Sequence, residues 1–109
     1  MSSKFFPLLD SLGLSARYAG FRYLALALDL AVRDPQILCS VTKRLYPEIA
    51  RQCGTNWKAV ERSIRTAIST IWLKNPQALD DLAGFPLPAK PAPARFIALL
   101  LFRCQSVRR

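Results

Sequence analysis

Histidine is missing from this 109-residue sequence, and acidic residues are few. Without histidine, the common zinc-site patterns and every histidine-based catalytic triad are excluded. The sequence also lacks a phosphate-binding glycine loop. Its adjacent carboxylates, Asp80 and Asp81, would point in different directions on a helix. We therefore predict that the protein is not an enzyme and that it uses neither a cofactor nor a metal ion.

Cysteine and long apolar runs are also scarce. The sequence has three cysteines, Cys39, Cys53 and Cys104, and this odd number without a C-x-x-C motif argues against a disulfide framework. Free thiols are typical of a reducing compartment, so we expect a cytoplasmic protein. The longest apolar run, Phe96–Phe102, is far shorter than the roughly 20 residues of a membrane span, and no signal peptide is recognisable. We expect no membrane partner.

Positive charge is what the sequence has in excess. Lysine and arginine number 16 against 7 acidic residues, which gives a net charge of +9. Such an excess in one small domain implies a densely negative partner, with nucleic acid ahead of an anionic membrane surface. The alternative is that the cations only keep the surface soluble. The length and the 51% apolar content fit a single folded domain over residues 1–109.

Apolar periodicity predicts helices throughout the chain, with no strand pattern and no internal repeat. The fold class is therefore all-α, a compact bundle of about six helices. The predicted helices cover about 5–12, 17–34, 35–53 in two pieces, 56–74, 75–83 and 94–109. One face of the second helix should be core, through Phe21, Leu24, Leu28, Ala31 and Val32. Four prolines within residues 85–94 predict an extended loop before the last helix.

Proline and capping residues set the boundaries around residues 35–53. Asp34 precedes a proline, so it ends the second helix and can cap the next one. Pro47 is tolerated in the first turn of a helix, which favours two short helices over one bent helix. Ser40 or Thr42 would cap the second of them.

Residues 43–74 or so read as helix, turn and helix, which is the helix-turn-helix arrangement whose second helix enters the major groove of DNA. Gly54 would end the first helix in a left-handed conformation, and Thr55 or Asn56 would cap the second, about 56–73. On a helical wheel, one side of this second helix is apolar, comprising Val60, Ile64, Ala67, Ile68 and Ile71. The opposite side carries Lys58, Arg62, Arg65 and Ser69, with Glu61 at its edge.

The cationic side predicts a DNA-reading surface, although it could also be an ordinary solvated helix face. Arginine suits base reading because its planar guanidinium donates two hydrogen bonds to O6 and N7 of guanine. Glu61 could accept from a cytosine amino group, or could only brace Arg65 one turn on. Lys58 opposes the helix dipole, and a nearby phosphate would offset that placement. Base readout is therefore predicted for Glu61, Arg62, Arg65 and Lys58.

Three motifs in this region are similar to those of a known family. They are S-V-T-K-R-L-Y-P-E-I-A at Ser40–Ala50, V-E-R-S-I-R-T-A-I at Val60–Ile68, and Trp72. The sequence resembles the C-terminal DNA-binding effector domain of the sporulation master response regulator of endospore-forming bacteria. Flanking matches at Gly13, Gly20–Leu24, Gly84–Phe85, Ala89–Pro91 and Phe96–Ala98 extend the resemblance over about Phe5–Arg103.

The resemblance implies an all-helical domain that binds duplex DNA at a short box with a TGTCGAA-like core, often as tandem copies on adjacent sites. It also implies contact with the RNA polymerase sigma subunit. By position, Glu61, Arg62 and Arg65 match the family's recognition residues. Phosphate contacts are expected from Thr42 and Lys43, which match the segment beside the DNA backbone, and also from Lys58, Arg51 and Lys90.

The sequence departs from the family pattern at three places. Ala59 stands where the family has a base-reading arginine, residues 75–85 are about one residue shorter, and Ala83 replaces an aromatic residue in that segment. Nothing in these 109 residues resembles the family's receiver domain, so we expect a protein without one. The leading hypothesis is a stand-alone, sequence-specific transcription regulator. The alternative is a protein-interaction or decoy module with weakened DNA specificity, which binds a relative or the sigma subunit.

Overall fold

The computed structural model describes residues 4–107, with side chains described for residues 4–104. This part of the chain contains helices and connecting turns without a strand. The α-helices are α1 (Phe6–Ser11), α2 (Ala19–Arg33), α3 (Tyr46–Cys53), α4 (Trp57–Lys74), α5 (Pro76–Ala83) and α6 (Pro93–Val107). The all-α prediction of about six helices is confirmed. The last predicted helix, about 94–109, ends in residues 108–109, which lie outside the described residues.

Helices α2 and α4 pack against each other at the centre of the bundle. The predicted core face of α2 is confirmed for Phe21, Leu24, Leu28 and Ala31, which are all buried. The prediction was wrong for Val32, which is 36% exposed. It follows Ala31 by one residue, so the helix turns it about 100° away from that buried position. Helix α6 completes the core with Phe96, Ile97, Leu100 and Leu101.

The approach of α2 to α4 depends on Gly20, the second residue of α2. A Cβ atom at this position would lie 2.6 Å from the backbone oxygen of Ser63 and 3.1 Å from Cβ of Ala67. Both neighbours belong to α4, so any larger side chain at position 20 would push the two helices apart. Glycine at this position therefore sets how closely α4 lies against the body of the protein.

Between α2 and α3 the chain forms a 3₁₀ helix over Pro35–Ser40 and a π-helical turn over Val41–Leu45. The predicted caps were wrong, because neither of these turns nor α3 has a side-chain capping bond from Asp34, Ser40 or Thr42. Asp34 pairs instead with Arg44, ten residues further on. That ion pair joins the end of α2 to the turn that precedes α3.

Pro47 accounts for the π-helical turn. It is the second residue of α3, and proline has no N–H to donate to the carbonyl four residues earlier. The backbone N–H of Tyr46 donates to the oxygen of Val41, five residues back, which is the π-helical pattern. The prediction that Pro47 lies in the first turn of a helix is confirmed.

The turn between α3 and α4 follows the sequence prediction closely. Gly54 has φ 69°, a left-handed conformation that glycine adopts without steric cost. The N–H groups of Gly54 and Thr55 both donate to the oxygen of Ala50, which satisfies the end of α3. Asn56 caps α4, since its Oδ1 accepts a 2.9 Å hydrogen bond from the backbone N–H of Ala59. The direction of α4 relative to α3 is therefore fixed by three successive residues.

The proline-rich segment over residues 84–92 forms a loop of turns and bends without helix or strand, and α6 begins with Pro93 itself, one residue earlier than expected. Proline suits the first helical position because the N–H that it lacks would have no partner there. The loop is tied to α5 by a 2.9 Å hydrogen bond from the N–H of Leu87 to Oδ1 of Asp80. Within the described residues, no helix combines the length and the apolar character needed to cross a membrane.

Candidate nucleic-acid interface

Helix α4 has one buried side and one exposed side. The predicted apolar side is confirmed in full, because Val60, Ile64, Ala67, Ile68 and Ile71 are its buried residues. On the opposite side Lys58, Arg62 and Arg65 are exposed, and Ser69 is half-buried. Burial of five apolar side chains holds the helix to the body, and the arginines stay in solvent as a result.

The two arginines of α4 differ in their partners. Arg65 places Nη2 3.5 Å from Oε2 of Glu61, so the bracing contact expected between them is present. The Arg65 side chain is 61% exposed, and an exposed pair of this kind contributes at most about 1 kcal/mol. Among the side chains described, Arg62 has no carboxylate within ion-pair distance. Arg62 is thus available to a ligand at once, whereas Arg65 must first exchange Glu61.

Lys58 lies at the amino-terminal end of α4 and folds back on its neighbour. Its Nζ lies 5.8 Å from the centroid of the Trp57 ring, and a contact of this type contributes about 0.5–1 kcal/mol at exposed sites. This attraction partly offsets the repulsion from the helix dipole. Trp57 is 38% exposed at the first position of α4. Sequence reasoning missed it, although an aromatic residue next to a lysine at a helix start was visible.

Thr42 and Lys43 are exposed on the π-helical turn that leads into α3. The start of α3 lies beside Glu61 of α4, as shown by Tyr46, the first residue of α3. Burial raises the pKa of Tyr46 above 10.0, the Glu61 carboxylate raises that pKa further, and Arg65 opposes the effect. Lys43 precedes Tyr46 by three residues, on the turn that leads into this contact.

Arg51 lies in the last turn of α3 and is engaged with Glu48 of the same helix. Its Nε donates to Oε1 of Glu48 at 3.1 Å, and its Nη2 donates to Oε2 at 2.5 Å. Hydrogen bonds from Arg51 and Gln52 lower the pKa of Glu48 to about 2. The structure places this predicted phosphate-binding residue in an internal pair, apart from the cations of α4.

Lys90 comes from the proline-rich loop and reaches the exposed side of α4. Its Nζ donates a 2.8 Å hydrogen bond to Oγ of Ser69. Ser69 lines a shallow trough of about 320 Å³ together with Arg62 and Arg65. The structure therefore brings together three of the predicted cations, Arg62, Arg65 and Lys90, although Lys90 is 25 residues away from Arg65 in the sequence.

The chemistry available on this surface is anion binding and recognition of hydrogen-bonding edges. Within residues 4–104, no cluster of three metal-ligating side chains is present, and Cys39 and Cys53 are free thiols. Exposed guanidinium groups on a helix that is anchored by its opposite side can bind phosphates or the edges of bases.

A comparison with known families assigns the chain to a class of protein. The family model described as "Sporulation initiation factor Spo0A C terminal" matches residues 6–103. The match runs from the first residue of α1 into α6, so it includes the whole of the α3–turn–α4 unit. This family consists of double-stranded DNA-binding transcription factor domains and is not an enzymatic family. The chain belongs to the Spo0A C-terminal family of DNA-binding sporulation regulators.

Proposed function

We propose that the protein is a sequence-specific transcription regulator that inserts α4 into the major groove of duplex DNA. One observation carries the proposal: α4 buries five apolar side chains in the core and presents Arg62 and Arg65 on its opposite, exposed side. The major groove is about 12 Å wide and admits an α-helix. A helix fixed in this way can place its side chains against base edges without losing its own packing.

Each predicted contact has a defined place in this arrangement. Arg62 has no competing carboxylate and donates to a guanine. Arg65 reads a base after it releases Glu61, or the two residues read neighbouring bases together. Thr42 and Lys43 bind phosphates beside the start of α3, and Lys90 approaches the phosphates from the loop. Arg51 contributes least, because Glu48 already satisfies its guanidinium.

Titration of two labelled duplexes tests these roles. One duplex carries a TGTCGAA-like box and the other a scrambled sequence of the same composition. We expect Arg62→Ala to weaken binding to the box by about 5–150-fold, which corresponds to ~1–3 kcal/mol for one bidentate contact, and to affect scrambled DNA less. Lys43→Ala should weaken binding to both duplexes alike and reduce the salt slope by about 0.9.

The matched control is Arg95→Ala, which removes an exposed arginine from α6, outside the α3–turn–α4 unit. It loses the same charge as Arg62→Ala, so it measures the general effect of net charge on DNA binding. If Arg62→Ala binds the box as tightly as Arg95→Ala does, the assignment of α4 as the recognition helix is wrong.

Ala59 supports the second candidate function, a decoy or protein-interaction module of the same fold. The resemblance places a base-reading arginine at this position, and its loss removes one possible bidentate contact. Selection of preferred duplexes from a random pool, with the parent and with Ala59→Arg, separates the two candidates. A parent that selects a defined box supports the regulator, whereas equal affinity for box and scrambled DNA supports the decoy. Contact with the sigma subunit and tandem self-association on DNA remain predictions.

A further inference from the structure

Besides the trough, the surface has a groove of about 400 Å³, which lies between α4 and the start of α2. One wall is formed by residues 13–15 and 18–21, which include the start of α2. The other wall is formed by α4 and includes Arg62, Thr66, Thr70 and Lys74. Ser63 also lines the groove, close to the point where Gly20 touches α4. The groove therefore runs beside the recognition helix for most of its length, on the side of α2.

The cations at this groove are not neutralised by the protein. The ion pairs found among residues 4–104 are Arg44–Asp34, Arg51–Glu48 and Arg65–Glu61, none of which involves Arg62, Lys74 or Arg17. Arg17 does not itself line the groove, but its guanidinium lies 5.7 Å from the ring centroid of Tyr18, which does. Tyr18 is itself 62% exposed and lines the groove. Concentrated, unpaired positive charge with hydroxyl groups nearby suits a phosphate chain.

The two flanks of α4 face opposite ways. Glu61 marks the flank beside Tyr46 at the start of α3, three residues after Lys43, and Ser63 marks the flank beside α2. Two residues correspond to about 200° on an α-helix. A helix in the major groove has one sugar-phosphate backbone on each side, so a strand bound at Lys43 leaves the second strand beside α2. This step rests on the proposed function.

We propose that the groove between α2 and α4 holds the sugar-phosphate backbone of the second DNA strand, with Lys74 and Arg17 as its phosphate-binding cations. Arg62 and Lys74 stand where the groove meets the exposed side of α4, since both line the groove and the trough. Lys74 and Arg17 carry affinity without sequence information, because they meet phosphates and not base edges.

Salt-dependent titration of the parent, Lys74→Gln and Arg17→Gln tests the proposal. Each substitution should reduce the slope of log affinity against log salt by about 0.9 and leave the ratio of box to scrambled affinity unchanged. The matched control is Arg33→Gln, which removes an exposed arginine at the far end of α2. All the substituted side chains are exposed or lie at the protein surface, and thermal unfolding of each variant verifies the fold.

Duplexes with one neutral methylphosphonate at each position, on each strand in turn, locate the contact. We expect a few positions that weaken the parent but not Lys74→Gln, and these should lie on the strand opposite to the positions that depend on Lys43. The proposal is overturned if Lys74→Gln and Arg17→Gln behave like Arg33→Gln, or if the positions that depend on Lys74 and Lys43 share one strand.

Free phosphate is the other source of the same chemistry. At constant ionic strength, inorganic phosphate should change the melting temperature of the parent and of Lys74→Gln equally; stabilisation that requires Lys74 would assign the groove to a small anion instead. A parent that binds the box specifically while Lys74→Gln matches the control refutes only the groove proposal. A parent without any affinity for duplex DNA refutes the proposed function and the groove proposal together.

Discussion

Replacement of Gly20 by alanine tests how α4 is held against α2. The added Cβ would lie 2.6 Å from the backbone oxygen of Ser63, whereas an ordinary contact between these atom types is about 3.3–3.6 Å. The helices must therefore separate by roughly 0.7–1 Å at this point. Because the obstructing atom belongs to the backbone, no side-chain rotation can relieve the contact.

Two opposing effects determine the magnitude. Overpacking of this kind costs typically ~1–3 kcal/mol, and the exchange of glycine for alanine in a helix returns about 0.5–1 kcal/mol. We expect Gly20→Ala to lower the free energy of unfolding by about 1–2 kcal/mol. For a domain of this size, that loss corresponds to a fall in melting temperature of about 4–16 °C.

Urea and thermal unfolding followed by circular dichroism measure both quantities. The double variant with Ala67→Gly provides a control for the 3.1 Å contact with that side chain. The two positions are in contact, so Ala67→Gly should relieve a small part of the loss, about 0.5 kcal/mol, and most of the loss should remain because the carbonyl of Ser63 stays in place. If Gly20→Ala is as stable as the parent or more stable, the gain in helix propensity outweighs the steric conflict, and the claim that α2 and α4 require glycine here is wrong.

Three further predictions concern the rest of the α3–turn–α4 unit. A hydrogen bond from Arg51 is the main cause that lowers the pKa of Glu48 to about 2, so this stabilisation is present above pH 4.5 and is lost as the pH falls through about 2. In urea unfolding at a series of pH values, Glu48→Gln should lose less free energy of unfolding than the parent between pH 4.5 and about 2. Equal losses would show that ionised Glu48 does not stabilise the fold. Burial raises the pKa of Tyr46 above 10.0, so the folded state loses stability as the pH rises beyond 10.0. In the same assay, Tyr46→Phe should lose less stability than the parent above pH 10.0. An equal loss would show that ionisation of Tyr46 is not its cause. Asn56→Ala should lower the free energy of unfolding by about 1 kcal/mol through loss of the α4 cap, and Asn56→Asp should retain most of it; an Ala variant with parental stability would show that the cap contributes little.

Local sequence patterns predicted the elements of the site well. The apolar side of α4 follows from helical periodicity, because the burial of a helix repeats every 3.6 residues. Gly54 and Asn56 were predictable because each acts on backbone groups within a few residues. The same reasoning over-extended the core side of α2 to Val32, since a wheel gives the centre of an apolar stripe better than its edge.

Features that join distant residues could not be predicted from sequence patterns. The prediction that Asp34 caps the next helix was wrong because Arg44, on the following turn, offers it a charged partner. The contact of Lys90 with Ser69 depends on the path of the proline-rich loop. The groove beside α2 requires Gly20 and Ser63 to meet across 43 residues of chain. Such contacts between distant residues arise from tertiary packing, and neither helical periodicity nor capping patterns predict them.

The most direct test of the account is a cycle that combines Arg62→Ala with 7-deazaguanine in the selected DNA box. This base analogue lacks the N7 acceptor in the major groove and is otherwise paired normally. If Arg62 reads a guanine from the major groove, replacement of one guanine must weaken the parent by part of the ~1–3 kcal/mol of a bidentate contact, since N7 is lost and O6 is kept. At that position the replacement should have little further effect on Arg62→Ala. Equal losses for the parent and for Arg62→Ala at every guanine would contradict the claim that α4 reads DNA through Arg62.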